Sequence, residues 1–145
     1  MSTTRTEIIM SSHVNGIRRL FGGQLMSWID VVGAVEARRW AKCDVTTVTV
    51  DNLVFINPAY ENDTVVLEAR LTWTGHTSME VRVDTYVEDL KTRYMKLINR
   101  AYLVYVAIKE DGSTVEVPKF VPSTFEEKAE WDAAVIRKSI RTGRK

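Results

Sequence analysis

His13-Val14-Asn15-Gly16-Ile17-Arg18-Arg19-Leu20-Phe21-Gly22-Gly23-Gln24-Leu25-Met26-Ser27-Trp28-Ile29-Asp30 is the stretch on which the reading of this chain turns. The glycine pair opens an apolar run that continues through Val31, Val32, Ala34, Val35 and Ala37. The run predicts a helix from about Gly22 to Ala41, buried on most sides. Arg38, Arg39 and Lys42 mark its end, where the helix dipole favours cations. At its start, glycine leaves the free N–H groups of the first turn open to close approach. Such donors suit an oxygen that gathers negative charge during a reaction. Asp30 reads as a carboxylate set inside this apolar cylinder, which is costly without a partner or a purpose.

Upstream, Arg5 to Met10 offers a short strand. Downstream the pattern turns to strands: Thr46 to Ile56 ending at Asn57-Pro58, then Thr64 to Thr74, in which Val65, Leu67, Ala69, Leu71 and Trp73 share a face. Gly75-His76 makes a turn. Met79, Val81, Val83, Thr85 and Val87 then line one face, with Glu80, Arg82, Asp84 and Glu88 opposite. The pair predicts an antiparallel hairpin, half buried and half wet. Leu97 to Lys109 is apolar on both faces, which fits a central strand or one covered by a partner subunit. Asp111-Gly112 predicts a turn into a strand Thr114–Val117. Ser123 and Glu126 read as the cap of a last helix, which ends in the basic tail Arg137–Lys145. One long helix followed by antiparallel strands is an α+β arrangement, a sheet wrapped on a helix.

At 145 residues the chain is a single domain, 1–145, with its core at about 8–118 and the helix and tail at about 123–145. Its net charge of +1 gives no case for nucleic acid or a membrane surface. Lone Cys43 rules out an internal disulfide framework and fits a reducing compartment, and no apolar run has signal or membrane-span length. A cytoplasmic protein is expected. No phosphate-cradling glycine loop, paired-Cys motif or His-x-x-x-His occurs, so no cofactor and no metal are expected.

The opening stretch resembles the acyl-CoA thioester hydrolases of the hot-dog fold, in the branch with an Asn-x-x-Gly-x-x-Phe-Gly-Gly segment and an acid on the central helix. His13, Asn15, Phe21, Gly22, Gly23 and Asp30 match, and Gly33 and Ala34 follow as in many members. Arg18 stands where the family usually has glycine. The strands containing Val50–Pro58, Asp63–Arg70, Gly75–Val81 and Ala101–Ala107 extend the likeness over roughly residues 8–118.

The resemblance implies a thioesterase that cleaves fatty acyl-CoA. Asp30 is its base or nucleophile, since desolvation strengthens a carboxylate as a base. Alternatively Asp30 is a structural acid capped by a hydroxyl such as Ser27. Asn15 holds the water or thioester oxygen, and the Gly23 and Gln24 N–H groups polarise the carbonyl. His13, Phe21, Gly22, His76, Thr77 and Ser78 are expected to line the substrate path, and the basic tail either meets coenzyme A phosphates or is a solvated terminus. His13 could be a base, but no Asp-x-x-x-x-His arrangement accompanies it on the helix, and that absence counts against a hot-dog dehydratase or hydratase. The rival reading is a non-catalytic acyl-CoA-binding module. The family pairs its subunits so that the Asn of one faces the acid of the other, which implies a homodimer as minimal unit and a higher homo-oligomer beyond it.

Overall fold

The computed structural model describes residues 2–51 and 54–143. Strand β1 (Thr3–Ile8) is followed by a short turn at Ser11–His13 and helix α1 (Gly22–Ala41). Strands β2 (Asp44–Asp51), β3 (Thr64–Thr74), β4 (Ser78–Glu88) and β5 (Met95–Ile108) come next, and helix α2 (Phe125–Gly143) ends the chain. All strand pairs are antiparallel, in the order β1-β3-β4-β5-β2. The sheet curls around α1, the hot-dog arrangement.

Helix α1 begins and ends where its residues say it should. Lys42 adopts the left-handed conformation and returns its N–H to the Arg38 carbonyl at 2.8 Å, closing the last turn. Leu25, Trp28, Ile29, Val32, Gly33, Glu36 and Ala37 form one buried stripe at helical spacing. They meet Val65, Leu67, Ala69, Val81, Val83, Ala101, Leu103 and Tyr105 from the inner face of the sheet. Full burial of one such Leu or Ile contributes about 1.5–3 kcal/mol. The sheet covers α1 on that side only, so Met26 and Val31 stay exposed. The expectation of a helix buried on most sides therefore fails for a single chain.

The outer face of the sheet departs further from its sequence pattern. The pairing of β3 with β4 slips between Leu71 and Trp73, a bulge with Thr72 as the extra residue. It turns Trp73 from the α1 face to the α2 face, where its ring lies 6.2 Å from that of Trp131. Glu80 and Asp84, read as wet, are each only 2% exposed. Helix α2 covers them: Arg137 binds both Glu80 oxygens at 2.8 Å, and Arg82 bridges Asp84 and Glu130. Burial makes such pairs costly to break from one side. Central strand β5 thus gets part of its second cover from α2, whose Arg137 guanidinium stacks 3.7 Å above the Tyr102 ring.

Smaller differences have local causes. Strand β1 spans Thr3–Ile8 instead of Arg5–Met10, and β5 begins two residues early. Strand β2 is described over Asp44–Asp51, and residues 54–56 of the expected longer strand are not in a strand; Asn52 and Leu53, like Arg144 and Lys145 of the tail, lie outside the described residues. The expected Thr114–Val117 strand is reduced to a bridge from Thr114 to Ile108. It can pair only with the end of β5 that overhangs the start of β4, opposite Val106. The cap of α2 is Thr124, one residue later than read, whose hydroxyl accepts the Glu127 N–H at 3.0 Å.

Candidate active site

The loop before α1 is a small closed turn. Val14 bridges Leu20, and Asn15 exchanges backbone bonds with Arg18 and Arg19. The Asn15 carboxamide oxygen accepts the Ile17 and Arg19 N–H groups at 3.0 and 3.2 Å, and among the described residues its amide nitrogen has no partner. The side chain caps its loop and still has donors to offer. Arg18 takes φ +64°, the left-handed conformation that glycine adopts freely.

Phe21 opens α1 without a side-chain cap, and its carbonyl accepts the Gln24 and Leu25 N–H groups, both at 3.1 Å. Among the described residues the N–H groups of Gly22 and Gly23 make no hydrogen bond. The Phe21 ring passes so close over Gly23 that an added Cβ would lie 2.6 Å from it. Gly22 and Gly23 thus hold the unpaired donors at this terminus among the described residues, and the Gln24 N–H is already engaged. His13 is held in place: its Nδ1 accepts the Met10 N–H at 2.9 Å, and its ring meets Trp28 edge-on at 4.9 Å. Asn15, Leu20, Gly22, Phe55, Asn57 and Ala59 line a cleft of about 330 Å³ beside this terminus.

Asp30 lies two turns further along α1, toward the β2–β5 edge. Its Oδ1 accepts the Thr47 hydroxyl at 2.8 Å and lies 3.0 Å from the Tyr105 hydroxyl; that hydroxyl is also 2.9 Å from the Asp30 carbonyl oxygen. Among the described residues Oδ2 has no partner. Burial first, then the Asp30 charge, pushes the Tyr105 phenol far up, so Tyr105 is always a donor here. The hydroxyls that hold Asp30 come from β2 and β5, not from Ser27. No sequence spacing announces Thr47 or Tyr105, which sit 17 and 75 residues away.

Within one chain these residues fall into separate groups. Asp30 does not line the Asn15 cleft. His76, Thr77 and Ser78 lie at the turn beside the opposite end of α1, about 30 Å along a 20-residue helix from Gly22. His76 is exposed, 3.7 Å from Glu116. In the basic tail Arg137 is committed to Glu80, and the Lys138 ammonium sits 4.8 Å above the Trp73 ring.

Residues 18–107 match the family model described as the thioesterase superfamily. The chain is 36% identical to the uncharacterized acyl-CoA thioester hydrolase YkhA of Bacillus subtilis, over 97% of this chain and 82% of that one. A hexameric acyl-CoA thioesterase superposes with a TM-score of 0.89 at 34% identity, covering 99% of this chain and 92% of the other. The acyl-CoA hydrolase of Staphylococcus aureus, solved with butyryl coenzyme A and coenzyme A, gives 0.89 at 29% identity over 99% and 87% of the two chains. That hydrolase has also been solved as three alanine variants, of an asparagine, an aspartate 15 residues later and a threonine 17 after that. The same intervals separate Asn15, Asp30 and Thr47.

Proposed function

This chain belongs to the thioesterase superfamily and is an acyl-CoA thioester hydrolase, and we propose that it cleaves fatty acyl-CoA with Asp30 as its reacting carboxylate. The observation that carries the reading is the state of Asp30. One oxygen is held by hydroxyls, and among the described residues the other has no partner. In the reaction the thioester carbonyl gathers charge against the Gly23 N–H of the partner subunit, with Gln24 beside it, because Gly23 and Asp30 of one chain stand two turns apart on α1. Asp30 takes a proton from water as it adds, or attacks the carbonyl itself to give an anhydride that water then opens. Either way one water is consumed, and the acid and the free thiol of coenzyme A leave. Asn15 donates to the water or the thioester oxygen from its unpaired amide. The cleft beside Asn15, apolar at Leu20, Phe55 and Ala59, suits an acyl chain.

Because Asn15 and Asp30 do not share a cleft in one chain, the working site takes Asn15 from one subunit and Asp30 from its two-fold partner. The exposed Met26 and Val31 on α1 give that partner an apolar surface to cover. His13, Phe21 and Gly22 frame the acyl end, and His76, Thr77 and Ser78 the nucleotide end of a bound substrate. A cytoplasmic setting suits the single reduced Cys43.

Two experiments test this. Release of free thiol from a panel of acyl-CoAs of increasing chain length should be catalysed, with a preference for fatty acyl chains; binding without release would favour a non-catalytic module. Separately, Asn15→Ala and Asp30→Asn chains should each be nearly inactive but regain activity when refolded together. Each mixed dimer then holds one intact site. Verified mixed dimers as inactive as their parents would overturn the shared site.

A further inference from the structure

Tyr105 is the one polar side chain among the inward-facing residues Ala101, Leu103, Tyr105 and Ala107 of β5, all of them fully buried. A buried hydroxyl must find a partner. This one finds Asp30 twice, at the backbone carbonyl and at Oδ1. It can do so only because position 33, one turn along α1, is glycine. A Cβ there would lie 2.4 Å from the Tyr105 hydroxyl oxygen, and 3.2 and 3.3 Å from the ring carbons behind it. Gly33 thus opens a slot in the helix surface, and Tyr105 fills it.

We propose that Tyr105 is the positioning residue for Asp30 and that Gly33 is the slot that admits it. The single phenol O–H, shared between the Asp30 carbonyl oxygen and Oδ1, ties the carboxylate to its own main chain and leaves Oδ2 as the oxygen turned to substrate. Thr47 reaches the same Oδ1 from the exposed side, so the carboxylate is clamped between a wet and a dry hydroxyl. Tyr105 touches no reacting atom; it acts through Asp30. This inference rests on the reading of Asp30 as the reacting group.

A double-mutant cycle tests it. Tyr105→Phe keeps the buried ring and removes the hydroxyl, and is expected to lower kcat about tenfold with KM within twofold of the parent. Gly33→Ala, which displaces the hydroxyl by bulk, is expected to lower kcat at least as much. Placed on Tyr105→Phe, Gly33→Ala should add little further loss, because the atom it strikes hardest is gone. All variants are assayed well below their unfolding temperatures, with Asp30→Asn alongside. Full kcat in Tyr105→Phe while Asp30→Asn is inactive overturns the positioning role alone. So does a change confined to KM, or a Gly33→Ala loss that multiplies undiminished on Tyr105→Phe. Should Gly33→Ala fail to fold, the kcat and KM of Tyr105→Phe decide by themselves. Activity retained by Asp30→Asn overturns the underlying reading, and the positioning role with it.

Discussion

Helix α1 carries two acids less than two turns apart, Asp30 and Glu36, and the fold treats them differently. Glu36 is 2% exposed and uses both oxygens within the protein. Oε1 accepts the Thr3 hydroxyl at 2.7 Å, and Oε2 accepts the Leu71 N–H at 3.3 Å. Strand β1 starts at Thr3, opposite Ala69, so among the described residues Leu71 has no β1 neighbour, and Glu36 accepts its N–H. Asp30 is half-buried, has one oxygen doubly held, and among the described residues its other oxygen has no partner. A carboxylate with every lone pair committed is a strut. One that is held firmly by a single oxygen is placed for chemistry. Depth of burial alone would rank Glu36 above Asp30, the acid we propose to react.

The contrast can be sharpened from the structural side first. Glu36→Ala strands the Thr3 hydroxyl and the Leu71 N–H in the core, and should destabilise the protein by about 1–3 kcal/mol in urea unfolding, with kcat nearly unchanged. A comparable loss of kcat at full folding would erase the distinction between the two acids. Next in size is Thr47→Val, which removes the exposed half of the Asp30 clamp. About tenfold in kcat should go, with little change in unfolding midpoint, as befits a bond to a charged group at the surface. The smallest effect belongs to Arg18→Gly. Relieving the left-handed backbone at that position should stabilise the protein by about 0.5–1 kcal/mol, less the exposed Arg18–Glu61 contact, with activity unaltered. A destabilised Arg18→Gly would mean that the ion pair, not the backbone, dominates the loop.

What the sequence made legible follows the range of the interactions. Helix α1 could be bounded from its own residues, because the glycine pair, the apolar stripe and the terminal cations act within one or two turns. The hairpin of β3 and β4 needed only alternation and a turn, whereas the places of β1 beside β3 and β2 beside β5 are long-range pairings that no turn announces. The bulge at Thr72 left no mark in the alternation of β3, yet it moved Trp73 to the other face. The buried ions under α2 looked like a solvated face because the covering helix comes some 50 residues later in the chain. The site shows the same division. Asn15, Gly23 and Asp30, the residues proposed for the site, stand in one local motif. Thr47 and Tyr105, which hold Asp30, lie on strands and reach it only through the curl of the sheet. Glu36 was passed over because its role depends on where β1 begins.

The most direct test sets the two acids against each other with isosteric changes. Asp30→Asn and Glu36→Gln enzymes, both shown to be folded by circular dichroism, would be compared for single-turnover release of free coenzyme A from a long-chain acyl-CoA. The account predicts a loss of about 10³-fold or more for Asp30→Asn, since the group removed is the one that acts on the thioester, and less than a threefold change for Glu36→Gln. Asp30→Asn turnover close to that of the parent enzyme, or a Glu36→Gln enzyme equally inactive, would contradict it.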